Sequence, residues 1–189
     1  MFANELEKFH PDLWAYARML CADATHADDV VQNACLKAWQ KRDQFDPSKG
    51  PLRAWLFRIV RNEFYQAKRS EIVRAKESTQ EIDTQWVAEC DLEQRSDLAR
   101  LLRAVHALKH DQRDAFLLVA AAGFTYEEAA LVLGCSAGTV KSRVSRAREM
   151  AFGLFHSEGW DSAETVTMSS PLDQLHEALN RIQAMPNAA

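Results

Sequence analysis

Two stretches of this chain combine side chains suited to gripping a polyanion. In residues 137–150, AGTVKSRVSRAREM, Lys141, Arg143, Arg146 and Arg148 stand against a single acid, Glu149. Val140, Val144 and Ala147 recur at helical spacing, so an amphipathic helix presents Thr139, Lys141, Ser142, Arg143, Ser145, Arg146 and Arg148 on its exposed face. Arginine can hold a guanine edge through two parallel hydrogen bonds in a duplex major groove, while lysine and serine suit phosphates. Gly138 lets the backbone near the helix start come close to a phosphate. The second stretch is 53–69, RAWLFRIVRNEFYQAKR. Here Trp55, Phe57, Phe64 and Tyr65 alternate with Arg53, Arg58, Arg61, Lys68 and Arg69. A cation beside a π-face is the pairing that single-stranded nucleic acid takes. Trp55 falls on the apolar stripe, whereas Phe57, Tyr65 and the arginines are expected to face outward.

The elements that must position these groups are helical. Thr125-Tyr126-Glu127-Glu128 reads as a capping box opening a helix over Tyr126–Leu133. That helix is expected to bury Ala130, and Gly134 supplies the left-handed residue that ends it. Cys135 can point inward, and Ser136 caps the next helix, Ala137–Met150. Helix, short turn and helix make a helix-turn-helix. A helical hairpin with a solvated basic face is the plain alternative; the Ala130, Gly134 and Val140 spacing and the one-sided cations favour DNA reading.

Nearer the N-terminus, Asn4 with Glu7 caps a short first helix, and Pro11 opens a second running to about Cys21. Leu13, Tyr16, Ala17 and Leu20 lie on its inner side. Thr25 with Asp28 opens another, whose stripe is Ala27, Val30, Val31, Ala34, Cys35, Ala38 and Trp39. Its other face shows Asp28, Asp29, Gln32, Asn33, Leu36 and Lys37. Asp46 to Gly50 is a turn cluster, after which Pro51 starts a helix reaching at least Arg69, with Leu52, Trp55, Leu56, Ile59 and Val60 as its apolar face. These helices form a first domain over residues 1–70. Residues 71–91 read as an acidic linker, with some helix near Trp86. A second domain spans 92–152: Leu92, Leu98, Leu101, Leu102, Val105 and Leu108 share one helix, and Ala115 to Ala122 form another ending at Gly123. In 153–189, Leu172, Leu175, Leu179 and Ile182 suggest a short amphipathic helix that packs on the protein itself or on a partner.

Composition narrows the function. Among 189 residues, 47% are hydrophobic and 26% charged, enough apolar material for a core. With few glycines and prolines, the fold class expected is all-α: two small helical domains joined by an acidic linker. No apolar run approaches the roughly 18–20 residues of a membrane span, and no basic-then-apolar leader is visible, so a cytoplasmic protein without membrane contact is expected. Cys21, Cys35, Cys90 and Cys135 are scattered, which argues against a disulfide framework. Cys90, His106, His110 and Cys135 can be drawn as a zinc set, but their spacing matches no standard finger, and no metal or cofactor is expected. Neither a phosphate-cradling glycine loop nor a nucleophile–base pair is present. The acid pairs Asp28–Asp29 and Glu127–Glu128 sit where solvation or capping accounts for them, so an enzyme is not expected. The net charge of −4 hides segregation. Residues 53–76 hold seven cations against two acids, 77–97 one against seven, 137–150 four against one, and 151–189 one against five. Two basic islands in an acidic chain suit two local nucleic-acid contacts with weak overall affinity.

Taken together, DDVVQNACLKAW at 28–39, PLRAWLFRIVRNEFYQAKR at 51–69 and GFTYEEAALVLGCSAGTVKSRVSRAR at 123–148 resemble the bacterial extracytoplasmic-function sigma factors of the sigma-70 family (group IV). The wording GFTYEEAA is similar to the group governing the general stress response of alphaproteobacteria. The resemblance implies core RNA polymerase, promoter DNA and an anti-sigma factor as partners. It implies polymerase docking through Asp28, Asp29, Gln32, Asn33 and Leu36. It implies opening and reading of a minus-ten element by the loop Phe45–Gly50 with Arg53, Arg58, Arg61, Asn62, Tyr65, Lys68 and Arg69. Duplex reading of a minus-thirty-five element would fall to Gly138, Thr139, Lys141, Ser142, Arg143 and Arg146, and the acidic linker would thread toward the RNA exit path. The tail over 153–189 departs from minimal members. The main alternative is a helix-turn-helix regulator that binds duplex DNA without polymerase. A sigma-like decoy that sequesters an anti-sigma factor is discounted because the basic recognition face is retained.

Overall fold

The computed structural model describes residues 2–21, 24–77 and 103–157, with side chains described as far as Val73 in the first part and Ala151 in the second. The chain divides into two compact units, Met1–Cys90 and Asp91–Ala189. Every described element in both is helical.

The first unit packs α1 (Phe2–Leu20), α2 (Ala24–Gln40) and α3 (Leu52–Glu77) against one another. The expected break before Pro11 is absent: α1 is continuous and Pro11 lies inside it. A mid-helix proline removes the bond to the carbonyl four residues back, here that of Glu7. Both Glu7 and Pro11 are exposed, so water covers the break while Leu13, Tyr16, Ala17 and Leu20 anchor the helix. In α2, Ala27, Val30, Val31, Ala34 and Ala38 are buried as the stripe requires, Cys35 is half-buried, and Trp39 at its end is exposed. Asp28 does not serve as a cap; its carboxylate accepts the Trp14 indole N–H at 2.6 Å, tying α1 to α2.

α2 and α3 run antiparallel, since His26 meets Glu71 at 3.5 Å and Lys37 meets Glu63 at 2.7 Å. Between them lie two 3-10 turns, Arg42–Gln44 and Pro47–Lys49. Asp46 caps the second by accepting from the Ser48 amide at 3.0 Å and the Ser48 hydroxyl at 2.7 Å. α3 extends through Glu77, past the start of the stretch read as a linker. Its core line is Ala54, Leu56, Phe57, Val60 and Phe64. Phe57, expected outside, is fully buried, with its ring 5.1 Å from that of Tyr16. Trp55 joins Phe2 and Phe45 in an aromatic cluster at the near end of the helix.

In the second unit, a helical turn over 103–106 precedes α4 (His110–Phe116), which starts before the expected Ala115. A π-helical turn, Leu117–Ala121, continues it. α5 (Tyr126–Leu133) and α6 (Ala137–Ser157) follow, and both α4 and α5 pack on α6. Val105, Leu108, Phe116, Leu117, Leu118, Phe124, Val132, Val140 and Val144 form the core. The alanine α5 buries fully is Ala129, whereas Ala130 is half-buried, one position from the expectation. Residues 92–102, the acidic stretch after Glu77 and the possible tail helix at 172–182 lie outside the described residues.

Candidate nucleic-acid and polymerase interfaces

The helix-turn-helix is built by local chemistry. The Thr125 hydroxyl accepts the Glu128 amide at 3.1 Å and the Glu128 carboxylate accepts the Thr125 amide at 3.0 Å, the reciprocal capping box. Gly134 ends α5 at φ +67, and the Ala130 carbonyl accepts both the Gly134 and Cys135 amides. Ser136 opens α6 by accepting the Thr139 amide at 3.1 Å. Val140, Val144 and Ala147 then face inward, so Lys141, Ser145, Arg146 and Arg148 stand in solvent. A Cβ on Gly138 would meet only the Ser136 hydroxyl, at 3.9 Å, so the chain's own packing does not demand glycine there.

Thr139, Ser142 and Arg143 are less available. The Thr139 hydroxyl lies 2.9 Å from that of Ser136, and the Ser142 hydroxyl donates to the Thr139 carbonyl at 2.9 Å. Arg143 is half-buried, its Nε 3.3 Å from the Asp111 carboxylate on α4 and its Nη1 3.7 Å from the Cys135 sulfur. Position 143 lies about 60° from Val140 and borders the buried stripe on the flank where Asp111 of α4 meets it. The expectation that Arg143 stands on the outward face is therefore corrected.

On α3, Arg58, Asn62, Tyr65 and Arg69 follow at i, i+4, i+7 and i+11 and form one row. Arg58, Asn62 and Arg69 are exposed and Tyr65 is half-buried, edge-on to Phe64 at 5.0 Å. Arg61 borders the row with its guanidinium 4.8 Å from the Tyr65 ring centroid, and Lys68 is half-buried beside it. Arg53 does not join them: it is half-buried, 4.0 Å from Asp12 and 5.4 Å over the Phe57 ring. In the preceding loop the Ser48 hydroxyl and amide, helped by Lys49 at 3.4 Å, hold the Asp46 carboxyl below the usual carboxylate range.

The α2 face carries Asp28, Asp29, Gln32, Asn33 and Leu36 together, all exposed, with Leu36 at 61%. Lys37 leaves that face for α3, donating to Glu63 at 2.7 Å and Gln66 at 3.1 Å. Burial pushes the neighbouring Cys35 thiol up from its ordinary pKa. Among the described residues no group of three or more metal-ligating side chains converges, and no helix is long and apolar enough to cross a membrane.

Comparison with known families decides what these faces belong to. Residues 6–72 match the Sigma-70 region 2 family and residues 98–150 the Sigma-70, region 4 family. The ECF RNA polymerase sigma factor EcfG of Rhodopseudomonas palustris (strain TIE-1) is 40% identical over 153 residues, covering 79% of this chain and 82% of that protein. The chain belongs to the extracytoplasmic-function sigma factors.

Solved structures agree. The sigma factor RpoE of Bartonella quintana, in complex with the anti-sigma factor NepR, superposes with a TM-score of 0.71 at 38% identity, covering 84% of this chain and 98% of that one. CnrH, in complex with the cytosolic domain of CnrY, gives 0.61 at 29% identity, covering 84% and 89%. A sigma factor works with core RNA polymerase at promoters, so a regulator acting on duplex DNA without polymerase is not favoured. In this sigma factor, region 2 coincides with the three-helix unit and region 4 with the helix-turn-helix unit. Three features escaped the sequence reading. The Trp14–Asp28 bond and the Asp111–Arg143 pair join residues distant in sequence, and no local pattern announces them. Trp39, at the end of the α2 stripe, is exposed, 5.1 Å from the Arg42 guanidinium and with its ring 6.2 Å from that of Phe2.

Proposed function

We propose that this sigma factor docks on core polymerase through Asp28, Asp29, Gln32, Asn33 and Leu36, captures the minus-ten element along α3, and reads the minus-thirty-five duplex with α6. The observation carrying the reading is the single row of Arg58, Asn62, Tyr65 and Arg69, which combines cations, an amide and an aromatic edge along one helix face. Unstacking a base step costs a few kcal/mol. Stacking and amide contacts to extruded bases, at about 1–3 kcal/mol per base, offset that cost. The chain contributes binding energy to melting and performs no covalent chemistry. On α6, Lys141, Ser145 and Arg146 face outward, and Gly138, which the fold itself does not require, leaves room for a phosphate.

The likeness to RpoE bound to NepR and to CnrH bound to the domain of CnrY supports control by an anti-sigma factor. The GFTYEEAA wording at 123–130, similar to the group governing the general stress response of alphaproteobacteria, supports a place in that response. The site of action is the cytoplasm, where polymerase and promoters are. Transcription reconstituted from core polymerase, with and without this protein, tests the reading. Promoter-specific transcripts that depend on the added chain are expected. Tight sequence-specific duplex binding by the chain alone, with no polymerase-dependent output, overturns it.

A further inference from the structure

We propose that Arg143 is a positioning residue: with Asp111 it forms a latch that sets the rotation of the recognition helix α6 on α4, and it does not read DNA. The inference rests on the reading of α6 as the minus-thirty-five helix. Three observations carry it. Asp111 and Arg143 meet at 3.3 Å with side chains only 37% and 26% exposed, so the pair is partly shielded from water. The same guanidinium touches Cys135 in the turn between α5 and α6, so one side chain ties α4, the turn and α6 together. And position 143 borders the buried Val140–Val144–Ala147 stripe, one turn from Arg146 and on the flank opposite Lys141 and Ser145.

A helix held by its apolar stripe alone can roll slightly, because apolar contacts are not directional. A guanidinium paired through Nε with the Asp111 carboxylate and through Nη1 with the Cys135 sulfur, at the edge of that stripe, ties α6 at two points and opposes the roll. Rolling α6 by a few tens of degrees would carry Lys141 and Arg146 out of register with a groove. Asp111 sits in the first turn of α4, where a carboxylate also complements that helix's N-terminal dipole, so its own position is stable.

The two roles for Arg143 predict opposite behaviour of Asp111. An acid near bound DNA repels it, so if Arg143 were a DNA contact, Asp111→Asn would leave affinity unchanged or raise it. If the pair is a latch, Asp111→Asn weakens binding as Arg143→Ala does. The experiment measures affinity of the reconstituted holoenzyme for a promoter with an intact minus-thirty-five element, across a salt series, for D111N, R143A, R143K and the exchanged pair D111R/R143D. A K141A/R146A variant serves as control, and thermal melting checks that each variant folds. The latch predicts losses of roughly three- to five-fold for D111N and R143A, as a single pair of this exposure allows. It predicts an unchanged salt slope, equal loss on every base substitution in the element, and recovery in D111R/R143D. A salt slope lowered by about one in R143A, or no loss in D111N with no recovery in the exchanged pair, overturns the latch. Should K141A/R146A leave affinity and salt slope intact, the recognition-helix reading itself fails, whatever Arg143 does.

Discussion

Phe57 and Arg58 are neighbours in sequence, and their replacement by alanine should produce opposite results. Phe57 is fully buried between α1 and α3, its ring 5.1 Å from Tyr16 and beneath the Arg53 guanidinium. Removing a buried phenyl ring costs about 3–5 kcal/mol through lost transfer energy and the cavity left behind. A domain of roughly 70 residues holds only about 3–10 kcal/mol in total. Phe57→Ala should therefore bring the first unit close to its unfolding limit. At roughly 4–8 °C per kcal/mol for a domain this small, its Tm falls by at least about 12 °C. Arg58 is exposed, about 100° round the helix from Phe57, so Arg58→Ala should change stability by no more than about 0.5 kcal/mol. It should instead lower promoter opening and reduce the salt slope for single-stranded minus-ten DNA by about 0.7. Near-ultraviolet circular dichroism on heating reads the first effect, and permanganate reactivity of promoter thymines in the holoenzyme reads the second. An F57A protein that melts like the wild type but fails to open promoters would place the ring on the DNA face and refute the packing argument.

Thr125→Ala removes one half of the capping box and should cost about 1 kcal/mol in the second unit, measured by denaturant unfolding. Gly134→Ala meets no atom within 4 Å, so its cost of roughly 1–2 kcal/mol comes from the left-handed backbone alone, and an unchanged midpoint would contradict that conformation. Asp46 is held below the ordinary carboxylate range by Ser48, so its contribution to loop order is complete above the unfolded value of about 3.9 and disappears as pH falls through the depressed folded value. The Ser48 amide signal should report that loss in acid, and Asp46→Asn should abolish the dependence. Asp29→Ala with Gln32→Ala, both exposed, should leave the melting temperature in place and weaken core polymerase binding about ten-fold in a competition assay.

The helix-turn-helix was legible because its signals are local. The Thr125–Glu128 box, the left-handed Gly134 and the Ser136 cap each act within four residues, and the structure realises all three. The boundaries of α5 follow from them. Where an element is gripped from more than one side, periodicity blurs. α3 is packed by both α1 and α2, so its apolar residues cover more than a narrow stripe. Leu52, Trp55 and Ile59 are half-buried while Ala54, Phe57 and Phe64 are buried, and sequence spacing alone does not rank the two sets. The same limit moved α5's buried alanine by one position. Pro11 misled for another reason: a proline reads as a helix start, and only the anchoring of Leu13 to Leu20 in a shared core lets the helix continue through it. Asp111 and Arg143 are distant in sequence, and an ion pair between them has no signature before the fold brings α4 onto α6.

Charge is where sequence and structure must be read together. The sequence assigns seven cations to residues 53–76 and four to 137–150, but a cation already engaged releases fewer counterions on binding DNA than one in open solvent. Arg53 lies against Asp12 and Phe57, Arg61 over Tyr65, and Arg143 against Asp111 and Cys135. Among the described residues of these two stretches, the exposed cations are Arg58 and Arg69 on one and Lys141, Arg146 and Arg148 on the other. A small set on each unit, within a chain of net charge −4, gives each face a weak hold on DNA by itself. Two weak holds become strong only when something fixes the distance between them, because the second contact then forms at high effective concentration. On the proposed docking through Asp28, Asp29, Gln32, Asn33 and Leu36 of α2, polymerase imposes that distance. Fusing the two units through a longer flexible linker should therefore lower promoter occupancy by the holoenzyme less than it lowers occupancy by the free chain, and equal losses would mean that the linker, not polymerase, sets the spacing.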